Sequence, residues 1–187
     1  MPVSAPVDYP SDVAPELAEI ANRATARLPT KRFATALDLR FALAAFARRA
    51  DSRRLEEDAQ RRLTALEELL DKRREGAPID AAITHRVGIE ARHSFQQALE
   101  IWPDNQEARA GRERALVLLF HAQVARENRD EAAALLDEMM APAEELEASL
   151  RRLDETLRRR AQKLRDLEAL SRETTVTAFA RRRRIAA

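Results

Sequence analysis

Between Ala91 and Met139, small and bulky apolar residues recur at helical spacing, and this pattern restricts what the chain can build. Ala91, Phe95 and Ala98 fall on one helix face, with Pro103 just past its end. A looser version returns at Ala132, Leu136 and Met139. Small residues let two helix backbones approach, and Phe95 and Leu136 are expected to fill the space they leave. The pattern therefore predicts antiparallel helical hairpins rather than isolated helices. The second set begins 41 residues after the first, which calls for a longer intervening helix, because no Gly/Ser-rich insertion separates them.

Composition extends this reading to the whole chain. Of 187 residues 37 are Ala, three are Gly and only 4% are aromatic, so an Ala-rich helical stack with many small contacts is expected. The fold class is all-α, with helical hairpins and a long carboxyl-terminal amphipathic helix. There is no Cys, which removes disulfides and thiolate metal sites. Basic and acidic residues number 33 and 32, and most alternate in sign along the expected helices as solvated faces. That balance argues against a global nucleic-acid-binding surface. The start, MPVSAPVDYPSD, lacks a basic then apolar signal segment, and no apolar run approaches the ~20 residues of a membrane span. A cytoplasmic location is expected.

Five regions follow from breakers and periodicity. Residues 1–14 read as a flexible Pro-containing leader, and 15–50 as a helical pair divided at Pro29. In that pair, Leu39, Leu43 and Phe46 are expected on a buried face, after a capping box at Thr35 and Asp38. Residues 51–141 form the repeat-like region. Ser52 is expected to cap its first helix, which ends at the Gly76-Ala77-Pro78 turn. Residues 142–173 form a leucine-seam helix, and 174–187 a basic tail in which Thr174, Thr175 and Thr177 favour fraying.

Two stretches resemble known families. Ala91, Phe95, Ala98 and Pro103 match the second-helix and terminal positions of the tetratricopeptide repeat, a binding scaffold without chemistry of its own. The preceding helix lacks the family's usual tryptophan, glycine and tyrosine, so the repeat is degenerate. Leu17 to Phe46 resembles the last two helices of a bacterial, myxobacterial-like serine/threonine protein kinase domain, with Pro29 and Arg32 matching the linker between them. The resemblance implies a structural Arg32, paired in that family with a glutamate this chain does not supply. Glycine-rich loop, VAIK, HRD and DFG motifs are all missing, so the chain is not expected to be an enzyme by itself.

Candidate sites follow. Trp102, Arg109, Arg112 and Glu113 lie on the degenerate repeat and are candidates for partner binding, although Trp102 also fits a packing role over the end of its own hairpin. Met139 and Met140 are expected in the core. Leu146, Leu150, Leu153, Leu157, Leu164 and Leu167 form an oligomerisation seam interrupted by Arg160, and this seam either pairs with a second copy or lies back along Leu55, Leu63 and Leu70. His85, His93 and His121 have no metal-ligand spacing, so neither a metal nor a cofactor is expected. The leading function is a non-catalytic interaction scaffold whose partner is an unidentified protein or a second copy. A second reading is the end of a split or truncated kinase, distinguished by whether an in-frame kinase lobe is encoded upstream. A third is an architectural protein whose Arg181 to Arg184 contact anionic lipid or phosphate.

Overall fold

The computed structural model describes residues 6–185, with side chains described for 6–169. The described residues form six α-helices: α1 Pro15–Ala24, α2 Ala36–Arg74, α3 Ala81–Ile101, α4 Gln106–Ala125, α5 Arg129–Asp137 and α6 Glu144–Ile185. A 3₁₀ turn at Pro29–Lys31 lies between the first two. The fold is all-α among the described residues. No described helix is long and apolar enough to cross a membrane. The chain divides into two compact units, residues 1–115 and 116–187, with the boundary inside α4.

In the first unit, α1 begins at Pro15, where a missing N–H costs nothing because the first turn has no acceptor for it. The preceding leader is tied to α1, since the Val7 N–H donates to Asn22 Oδ1 (2.8 Å) and Asn22 Nδ2 donates to the Val7 carbonyl (3.0 Å). Helix α2 opens with the expected capping box, Thr35 Oγ1 accepting from the Asp38 N–H while Asp38 accepts from the Thr35 N–H. It then runs for 39 residues without a break. Ser52 is therefore not a cap. No Gly or Pro interrupts the segment, and the Ser52 hydroxyl donates instead to the Ala98 carbonyl of α3 at 2.8 Å.

Helix α2 stops at Gly76. Its φ of 91° suits glycine, and the Gly76 and Ala77 N–H groups close back on the Arg73 and Lys72 carbonyls. Asp80 then caps α3 by accepting from the Ala82 N–H. Helices α2 and α3 run antiparallel, with Ser52 opposite Ala98 and Arg62 reaching Ser94 Oγ at 2.7 Å. Ala59, Leu63 and Leu66 of α2 and Ala91, Phe95 and Ala98 of α3 are buried in this unit. Leu43 departs from expectation and is 41% exposed, because α1 covers a different side of α2, where Arg49 pairs with Glu16.

In the second unit, α4 ends in the same closure as α2 but without glycine. Glu127 takes φ 58°, and the Glu127 and Asn128 N–H groups donate to the Val124 and Gln123 carbonyls. Only three residues connect α4 to α5, so the 41-residue spacing is absorbed by helix length, as predicted. Asn128 Oδ1 caps α5 through the Glu131 N–H. Ala132, Leu135 and Met139 turn inward from this segment. Leu136 is only half-buried, so the large residue of the second pattern is Leu135, one position earlier. Met140 is 74% exposed rather than part of the core, because α5 has already ended at Asp137.

Helix α6 packs against α5 through its first turns and continues as helix to Ile185. The threonines at 174, 175 and 177 thus do not end it. Favourable neighbours in an uninterrupted Arg-, Ala- and Glu-rich stretch outweigh their modest propensity cost. The side chains of Arg181 to Arg184 lie outside the described residues.

Candidate interaction surfaces

The turn joining α3 to α4 is built from its polar atoms. Asn105 Oδ1 accepts from the Ala108 N–H at 3.0 Å and so caps α4, while Asn105 Nδ2 donates to Ser52 Oγ at 3.0 Å. Since Ser52 in turn donates to Ala98, three helices are joined by one hydrogen-bonded chain whose two side chains are almost inaccessible to solvent. Such atoms are costly to bury unless every bond is made. Here they are spent on architecture. Asp104 is exposed in the turn, and the capping role falls to Asn105.

Packing beside this turn is equally close. A Cβ placed on Gly111 of α4 would meet the tip of the Phe95 ring at 2.3 Å, so the ring end sits against bare backbone. Phe95 is fully buried. Gly111 was not anticipated as a structural residue. The available signal was a solitary glycine inside an otherwise unbroken helical pattern.

The four candidate partner-binding residues do not make one exposed patch. Trp102 is half-buried, with the Arg53 guanidinium 5.7 Å from its ring centre. Arg109 is also half-buried and donates to the Pro103 carbonyl at 2.8 Å, bracing the turn. Arg112 and Glu113 are neighbours 3.6 Å apart with side chains 18% and 31% exposed. Arg109 and Glu113 fall on the face of α4 that leads to the buried Leu116. Of the set, Trp102 presents the largest ring at the head of the hairpin.

Arg32 is exposed, and its Nε donates to the Ala26 carbonyl at 2.6 Å. Its neighbour Phe33 takes the Arg23 guanidinium at 4.3 Å. The linker is thus closed on itself by local contacts. Across the first unit's surface, Arg114 pairs with Glu67 at 2.7 Å, tying α4 to α2. Glu56 is pushed above the ordinary carboxylate value, first by burial and then by the charges of Glu107 and Glu57.

The leucine seam divides along its length. Leu146 and Leu153 are each 7% exposed, Leu150 and Leu157 are half-buried, and Leu164 and Leu167 are exposed at 61% and 62%. Arg160, the interruption, pairs with Glu127 at 2.7 Å. Nearly two turns earlier along the same contact, Arg129 Nε donates to Asp154 at 2.9 Å. That hydrogen bond, with the adjacent carboxylate charge, raises the Arg129 value further. The amino-terminal part of the seam is therefore an intramolecular contact, whereas its later leucines are uncovered.

Among the described residues no three His, Asp or Glu side chains gather as metal ligands. His121 meets the Phe120 ring edge-on at 5.6 Å, a packing contact. A cavity of about 260 Å³ lies beside the carboxyl end of α1 among Asn22, Thr25, Arg27, Leu28 and Lys31, without a convergent set of catalytic groups. No protein-family model, curated protein or solved structure matches the chain.

Proposed function

We propose that this chain is a non-catalytic helical scaffold, a cytoplasmic protein-interaction module of the tetratricopeptide-like kind, working through helix faces rather than through a reaction. The supporting observation is the use of Ser52 and Asn105. The most deeply buried polar side chains of the first unit hold helix ends and backbone carbonyls in place, an arrangement suited to presenting a rigid surface. Trp102, with Arg53 over its ring, is the contact residue this reading places at the head of the α3–α4 hairpin.

A photo-cross-linking amino acid at Trp102 tests the hairpin face in living cells, with the same group at exposed Glu90 as control. The scaffold reading expects one reproducible protein adduct from position 102 and none from position 90. Equal adducts from both positions, or none from either, would reject the hairpin face as a binding surface.

A further inference from the structure

The face of α2 that receives α3 does not end where α3 ends. Ser52 stands opposite Ala98, and Ile101 is the last residue of α3, about 5 Å beyond Ala98 at ~1.5 Å per residue. Phe41 lies about 16 Å beyond Ser52 in the same direction. Around the helix, at ~3.6 residues per turn, Leu37, Phe41 and Arg48 fall within roughly 40° of the line that also carries Ser52, Ala59 and Leu66, and Ala44 lies about 60° to one side of it. The later residues of that line are buried, whereas Leu37 and Phe41 are 49% and 58% exposed. Helix α1 occupies another side, marked by the Arg49–Glu16 pair. The uncovered stretch thus prolongs an existing helix-packing seam.

Charge identifies what fits it. Arg40 sits beside the stripe with its guanidinium 5.8 Å from the Phe41 ring centre, and Arg48 closes the stripe as an exposed cation. The Asp38 carboxylate is engaged by Thr35 in the capping box, and Asp51 lies a turn beyond Arg48. A second copy laid antiparallel on this face would bring two Arg40 and two Arg48 side chains into one seam, and like charges so placed repel. Half-buried Ala44 and Ala45 permit the close backbone approach of a helix, which a flat lipid surface would not use. We propose that residues 37–48 of α2 dock an acidic amphipathic helix from a partner protein, in line with α3 and continuing its seam. The proposal rests on the scaffold reading and supplies the partner chemistry for a second face.

The test is a titration of the full chain against a labelled synthetic helix of about 18 residues, with Leu at alternating three- and four-residue spacing and Glu on both flanks. A Lys-flanked version serves as its counterpart. The Glu peptide is expected to bind, to weaken with added salt, and to lose about tenfold or more in affinity with Phe41→Glu or Leu37→Ser. Circular dichroism establishes that both variants keep native helicity, and Glu90→Gln, at an exposed position of α3, should leave affinity unchanged. Failure of the Glu peptide to bind, equal binding of the Lys peptide, or indifference to both α2 substitutions overturns the proposal. Phosphatidylserine vesicles retained by the native chain but not by Phe41→Glu, without peptide binding, reassign the face to membrane. A dimer in sedimentation that Phe41→Glu dissolves reassigns it to a second copy. Peptide binding together with no adduct at position 102 rejects the hairpin face alone and leaves this one standing.

Discussion

The helices around Phe95 and those around Leu153 draw on the same Ala, Leu, Arg and Glu vocabulary, yet they are held by different means. Around Phe95 a ring end sits against glycine backbone, and two buried polar side chains join three helices. Around Leu153 the contact is two leucines with slight residual exposure, flanked by the Arg129–Asp154 and Arg160–Glu127 pairs at the surface. The first arrangement is intolerant of added volume and of lost hydrogen bonds. The second depends on apolar area and on charges that solvent already screens. Position-specific fit therefore belongs to the first unit, and adaptable contact to the second.

The largest break in this contrast is expected from Gly111→Ala. The new methyl group requires the buried Phe95 ring to shift by about 1 Å or more, since ordinary carbon contacts lie near 3.5–4.0 Å. Overpacking of this kind costs about 1–3 kcal/mol, occasionally more, against a gain of about 1 kcal/mol from replacing glycine in a helix. A contact as short as 2.3 Å puts the cost at the upper end of that range, so a net loss of about 2 kcal/mol in chemical unfolding is expected, and Phe95→Leu should recover part of it in the double variant. Additive losses would show that the two residues do not share the space.

Much of the architecture was legible because helices announce themselves locally. The starts of α1 and α2 and the Gly76 turn follow from Pro15, the Thr35–Asp38 box and a glycine, and the longer helix between the two small-large patterns from their spacing. What was not legible depended on partners distant in the chain. Ser52 has the chemistry of a cap, and only Ala98, 46 residues away, makes it an interior residue. Leu135 and Leu136 are identical in type, and the packing of α5 alone decides which is buried. The candidate site suffered similarly. Arg109, Arg112 and Glu113 are candidates only through their place on the degenerate repeat, and bracing of the Pro103 carbonyl and the Arg112–Glu113 pair absorb much of their polarity. Conversely, the buried face expected on this part of α2 runs through Leu39, Leu43 and Phe46, and the exposure of Leu37 and Phe41 follows from α3 ending short of them.

Next in size is Asn105→Ala. It removes a helix cap and the Ser52 partner together, for a loss of about 1–3 kcal/mol. Ser52→Ala should cost less, and the two losses should not add, because the second substitution removes a group the first has already stranded. Urea unfolding of the two single variants and the double variant checks this. Strict additivity would mean the buried chain of hydrogen bonds does not act as a unit.

Arg129→Ala probes the second region and should produce a smaller change, one that vanishes in concentrated salt because the Asp154 contact is at the surface. A loss as large as that of Asn105→Ala, or one unaffected by salt, would erase the distinction between the two regions.

The smallest effect is expected at Glu56, where the first region carries an unfavourable charge. Burial, Glu107 and Glu57 raise its folded-state value above 4.5. The folded state therefore holds this proton more tightly than the unfolded chain does. The sign follows directly: below the unfolded value both states are protonated and there is no penalty, and stability is lost as pH rises through the folded value. Glu56→Gln should leave stability near pH 4 almost unchanged, raise it slightly at pH 7, and flatten the slope in the window just above 4.5. Urea midpoints for both proteins across that window check the prediction. A lower midpoint for the Gln variant at pH 7 would instead make Glu56 a favourable partner of nearby cations, outweighing its burial and its two acidic neighbours.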